Sequence, residues 1–139
     1  MIKGFIEKWL KYNKDLESYL RNHNQSEYAT YEQLVEILIK EIINKDEEFE
    51  CNTYNINEIV VLDHGDYQGT QIFILHKNVY QPEPCDYIYT NTYYGSCSRC
   101  DTLLQISNYD TKLPNEHQIK GYMNLMLNLL QKFRRIEEY

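Results

Sequence analysis

The chain lacks any apolar run long enough to cross a bilayer. The longest, Ile59–Leu62 (IVVL) and Ile72–Leu75 (IFIL), fall far short of the roughly 20 residues that a spanning helix needs. The opening stretch, MIKGFIEKWLKYN, carries charges every few residues, which is not the pattern of a secretory signal peptide. Basic residues are in deficit: 14 Lys and Arg stand against 21 Asp and Glu, a net charge of −7. Such a chain has no electrostatic reason to seek phosphate backbones, which demand clustered Lys and Arg. Only five glycines and three prolines are present, with no linker-like segment and no internal repeat, so residues 1–139 read as a single domain. Ser-His-Asp order, paired carboxylates and HExxH are missing as well. Together these absences predict a cytoplasmic protein that binds neither membrane nor nucleic acid and acts by contact rather than catalysis.

What the chain does have is tyrosine, 14 of them, a residue that brings rigid contact area with a polar tip and is favoured at interfaces. It also has four cysteines. In a reducing compartment these are thiols, metal ligands or a redox pair rather than structural disulfides.

Helical periodicity comes first. Phe5, Ile6, Trp9, Leu16, Tyr19 and Leu20 predict an amphipathic helix over residues 2–21. Thr30 and Gln33 have capping-box spacing, and Tyr31, Leu34, Val35, Leu38, Ile39, Ile42 and Ile43 form one stripe behind them. Period-two segments follow: Ile56–Leu62, Thr70–Lys77 and Asp86–Tyr94. The connectors DHGDYQG and NVYQPEPC are short enough for antiparallel neighbours. The expected fold is α+β: a three-stranded antiparallel meander covered by two N-terminal helices, a short helix after the Cys turn and a long C-terminal helix opened by Pro114. That last helix carries Ile119, Tyr122, Met123, Leu125, Met126, Leu127, Leu129, Leu130 and Phe133 on more than one face. It is either central to the core or the contact of a homodimer.

The densest chemistry is YYGSCSRCD, Tyr93–Asp101. In a meander this turn shares one end of the sheet with Asp63, His64, Asp66 and Gln68, while His76 and Cys85 lie at the other. Taken together, the DYQG segment at Asp66–Gly69 and YGSCSRCD at Tyr94–Asp101 resemble a group of small uncharacterised proteins from bacteriophages and bacteria. Those carry Asp-Tyr-Gln-Gly, a strand, then Tyr-Gly-Ser-Cys-Ser-Gly-Cys-Asp. The resemblance covers residues 63–105, and Arg99 stands where that pattern has glycine. It implies a viral or mobile-element setting and brings no activity with it.

Four chemistries fit the Cys turn. Zinc would take Cys97 and Cys100 with His64, helped by Asp63 or Asp66, with Cys51 and His117 as further donors. A redox dithiol would use the strand–CxxC–helix order. An anion such as a small nucleotide would use the backbone around Gly95 and Ser96 at a helix start, with Arg99, Asp66 and Gln68 beside it. The fourth is structural: Gly95 for a sharp turn, Ser96 as a cap, two small buried thiols, and Asp101 complementing the helix dipole. Separately, the acidic connector offers Glu47, Glu48 and Glu50 to a basic partner. The reading that collects most of these features is a small acidic phage or mobile-element protein that inhibits a host defence component with a basic nucleic-acid-binding surface, in the manner of anti-CRISPR proteins. A metal- or nucleotide-binding protein, sponge or enzyme, is the alternative.

Overall fold

The structure is a computed structural model describing residues 1–97 and 99–136. Its first helix, α1 (Ile2–Arg21), has the predicted bounds and buries Phe5, Trp9, Leu16 and Leu20. The Thr30 hydroxyl caps α2 (Tyr31–Leu38), accepting from the Gln33 amide at 3.2 Å, while Gln33 Oε1 accepts from the Thr30 amide. The apolar stripe continues past α2 into a single π-turn, Ile39–Ile43, closed by the Asn44 amide donating to the Ile39 carbonyl. That extra residue lets both Ile42 and Ile43 stay buried and leaves Asn44 paired with both backbone groups of Tyr54.

The strands are β1 (Val60–Asp66), β2 (Gln68–His76) and β3 (Tyr87–Tyr94), joined as an antiparallel meander. Two features depart from the expectation. The sheet has a fourth strand among the described residues, β4 (Arg134–Arg135), because the chain turns at buried Phe133 and runs back antiparallel along β3. The segment DHGDYQG is also no loop. Strand β1 starts at Val60 rather than Ile56 and runs to Asp66, so that only Tyr67 stands between Asp66 and its partner Gln68. The strands can close that tightly because Gly65 faces Gly69 across the ladder. A Cβ on Gly65 would lie 2.2 Å from the Gln68 carbonyl oxygen, and one on Gly69 equally close to that of His64.

Helices α3 (Thr102–Ser107) and α4 (Glu116–Gln131) follow. Asn115, not Pro114, sets the start of α4, its side chain accepting from the Gln118 amide at 2.8 Å. α4 is the central helix: it packs on β3 and takes α1, α2 and α3 around it, so the closest helical cover of the sheet comes from the C-terminal helix and not the N-terminal pair. Gln118, Ile119, Tyr122, Met123, Leu125, Met126, Leu129 and Leu130 are buried, while Glu116, His117, Lys120, Asn124, Asn128 and Gln131 are exposed. Of the two expected roles, the helix takes the one central to the core, with Leu127 alone of its predicted apolar residues left half-buried. Buried polar groups on this helix are satisfied: Tyr122 donates to Gln25 Oε1 at 2.7 Å, and Gln25 Nε2 donates to Gln118 Oε1 and the Lys112 carbonyl.

With Leu129 fully enclosed and its carbonyl accepting from the Thr90 hydroxyl at 2.8 Å, Leu129→Ala is expected to lower stability by about 2–5 kcal/mol through the cavity it leaves. Urea unfolding should show a reduced midpoint, with no change in native mass by light scattering.

Candidate functional site

The meander brings the two motifs to one end of the sheet, where Gly69 pairs with Tyr94. The Tyr94 hydroxyl reaches across to donate to Asp63 Oδ1 at 2.5 Å, with the Gly65 carbonyl at 3.3 Å. This contact and the Gln71 amide hold the Asp63 carboxyl below its ordinary value, and the same carboxylate pushes the Tyr94 hydroxyl up to about 12. Strand alternation then separates what the loop reading joined. Asp63, Gln71 and Tyr94 share the helix-facing side with Phe73 and Thr92, whereas His64, Asp66, Gln68 and Tyr93 share the outer side. Tyr93 donates to Gln68 Oε1 at 3.4 Å on that outer side.

The Cys turn folds the other way. Its anchor is Asp101, a buried carboxylate. Oδ2 accepts from the Gly95 amide at 3.0 Å. Oδ1 accepts from the Leu104 amide at 3.1 Å and the Tyr31 hydroxyl at 2.9 Å, and that hydroxyl in turn accepts from the Leu103 amide. One side chain therefore closes the turn, caps α3 and ties both to the start of α2. Gly95 is required here because a Cβ would lie 2.4 Å from the Cys100 Cβ. Asp101 thus does more than complement a dipole; Tyr94, the first residue of the Cys motif, belongs to the site through Asp63, and Tyr31 belongs to it without any motif to mark it. Only the Asp directly after CxxC, at N-cap spacing from Leu104, is a readable signal.

This geometry bears on each chemistry. For an anion, the donors are already engaged: the Gly95, Leu103 and Leu104 amides serve Asp101 and Tyr31. Ser96 and Arg99 are exposed, and Arg99 uses its carbonyl to accept from Gln105 Nε2 at 2.9 Å. For a metal, Cys97 and Cys100 lie together with their sulfurs 3.3 Å apart. Among the described residues no group of three His, Cys, Asp or Glu is close enough to hold an ion. His64 is carried to the outer face instead, Cys51 is exposed in a short 3-10 turn, and His117 is exposed on α4. The thiols are not the buried hydrophobes of the structural reading either: Cys100 is exposed and Cys97 half-buried.

The acidic connector is split in its duties. Glu47 is paired with Lys8 at 2.6 Å, and Lys8 also donates to the Ile43 carbonyl. Asp46 accepts from Lys11 and Tyr12. Glu48 and Glu50 are exposed on either side of exposed Phe49. At the opposite end of the sheet His76 pairs with Glu58 at 2.9 Å. Burial alone would lower its pKa, but the Lys77 carbonyl and the Glu58 carboxylate outweigh that and hold it above the ordinary value. Cys85 is exposed at that end as well.

Replacing Asp101 by alanine strands two buried amides and a buried hydroxyl at once. It is expected to cost about 3 kcal/mol or more in urea unfolding, against about 1–3 kcal/mol for Tyr31→Phe, which leaves the Leu103 amide without its acceptor and takes one donor from Asp101. Equal, small losses for both would remove Asp101 from its central place.

Compared with family models, with curated proteins and with solved structures, the chain finds no match.

Proposed function

We propose that this chain is a binding protein whose contact surface is the outer face of its sheet. The observation that carries the reading is the composition of that face. Val60, Leu62, Ile72, Ile74, Tyr87, Tyr89 and Tyr93 lie side by side on it by register. Val60, Leu62 and Tyr93 are 50, 49 and 54 % exposed. Val60, Ile74, Tyr87, Pro82, Pro84 and Ile136 line an almost wholly apolar groove of about 520 Å³. Contiguous apolar surface of this kind on a water-soluble fold marks an interaction site, and tyrosine is the residue type such sites favour.

Charge narrows the partner. The apolar stretch is framed by Asp66 at the hairpin tip and Glu58 beside His76, on a chain of net charge −7. A basic protein surface fits that frame, with Glu48 and Glu50 available to steer approach and Asp66 and Gln68 at its margin. Together with the resemblance to phage proteins over residues 63–105, this supports a counter-defence protein in the host cytoplasm, acting on a defence component whose basic surface binds nucleic acid. No helix among the described residues is long and apolar enough to cross a membrane.

The test is protection. Expressed in cells carrying nucleic-acid-targeting defence systems, the chain should restore plaque formation against at least one. Leu62→Glu and Tyr89→Glu, shown to keep the fold by circular dichroism, should abolish that rescue. Failure across the systems, or full rescue by both variants, overturns the reading. With a purified partner, reversing Glu48 and Glu50 to lysine should slow association and flatten its salt dependence. Glu47→Lys should instead lower stability, because it sets a second cation against Lys8.

A further inference from the structure

Two of the four cysteines are arranged unlike the others. Cys51 and Cys85 are exposed on separate 3-10 turns, whereas Cys97 and Cys100 hold their sulfurs 3.3 Å apart. The backbone explains the difference. The Cys100 amide donates to the Cys97 carbonyl at 3.0 Å, and the Asp101 amide donates to the same oxygen at 2.9 Å. An amide bonded in this way to the carbonyl three positions earlier goes with a separation of about 7 Å or less between the two Cα atoms, against the roughly 4.4–6.8 Å that a disulfide spans. The turn is also fixed from behind, by Gly95 lying against Cys100 and by the Asp101 carboxylate holding the Gly95 amide. The two thiols are thus pre-organised at the surface, where a small reactant reaches them.

We propose that Cys97 and Cys100 form a thiol–disulfide exchange site whose reactant is a small-molecule disulfide. Cys97 is the attacking thiol. The Cys100 sulfur beside it at 3.3 Å, with the Arg99 and Cys100 amides adding to the effect, holds its pKa below the ordinary value, while the same contact raises that of Cys100. The Cys97 thiolate attacks one sulfur of the disulfide, whose S–S bond breaks and whose departing thiolate takes up the proton Cys97 gave to solvent. Cys100 then loses its proton, attacks the Cys97 sulfur and expels the second thiolate, which is protonated in turn. Two protein thiols are oxidised by two electrons to one disulfide, and one small disulfide is reduced to two thiols. The site lies in the turn between β3 and α3 and shares no residue with the outer sheet face, so its test does not depend on the partner.

The experiment uses the full reduced chain with glutathione disulfide as probe, followed by intact mass and peptide mapping. The expected product is a Cys97–Cys100 disulfide, two hydrogens lighter, with Cys51 and Cys85 still reduced. Before oxidation, iodoacetamide should label Cys97 faster than Cys51 or Cys85, the direction that a lowered pKa gives. Cys100→Ser should stop at a glutathione adduct on Cys97, and Cys97→Ser should leave Cys100 reacting no faster than Cys51 or Cys85. Uniform labelling of all four in the wild-type chain, or no Cys97–Cys100 disulfide across a glutathione redox buffer, overturns the proposal. So does zinc that stays bound to the two cysteines through gel filtration and blocks oxidation. The wild-type measurements decide the matter even where a serine variant fails to fold.

Discussion

Everything at one end of this molecule hangs on the Asp101 carboxylate. Removing a carboxylate from water is expensive unless its lone pairs are met, and here they are met by groups from three separate segments: the Gly95 amide after β3, the Leu104 amide in α3 and the Tyr31 hydroxyl in α2. The requirement works in both directions. The charge is tolerated only if the three segments converge, and their convergence satisfies donors that would otherwise be buried without partners. It also fixes where the Cys turn stands, because Gly95 and Cys100 are pressed together by the same closure. The sulfurs are held close as a by-product of burying the acid that directly follows Cys100.

How much of this was legible in the residues varied with the range of the interaction. Local patterns read true: the α1 periodicity, the Thr30–Gln33 box and the order of the strands are settled by neighbours within a few positions. The hairpin was misjudged because HGDYQG carries turn-forming residues, yet two glycines facing each other across the ladder let the strands run to within one residue of the tip. Arg134–Arg135 gives no strand signal at all, and it pairs with β3 only because Phe133 is drawn into the core. The candidate site failed as a unit for a simple reason. Placing His64 and the cysteines at one end of a sheet is a statement about topology, while bringing their side chains together depends on which face each occupies, and alternation sends His64 outward. Tyr31 could not be found from sequence because its partner is 70 positions away.

The division of the sheet into two faces also organises the functional argument. The helix side is closed, with α4 burying all its large apolar residues but the half-buried Leu127 within its own chain. Among the described residues no buried side-chain nitrogen or oxygen lacks a partner, so the interior has no unmet polar group that asks for a ligand. The outer side is open, apolar and aromatic, and acidic residues stand at its ends.

Among the described residues, strand β1 has a neighbour on one side only. Its other edge presents a row of backbone donors and acceptors on which a further strand could template itself, the hazard that drives edge-to-edge aggregation. The sequence of β1 treats its two halves differently. Asp63 and Asp66 charge the half near the hairpin tip, where the glycines also break the regular side-chain cover, and they discourage growth there. Val60, Val61 and Leu62 leave the other half uncharged. Any strand that extends this sheet, whether from a partner or from a misfolded copy, would therefore nucleate at Val60–Leu62 and be turned away as it reached the acids.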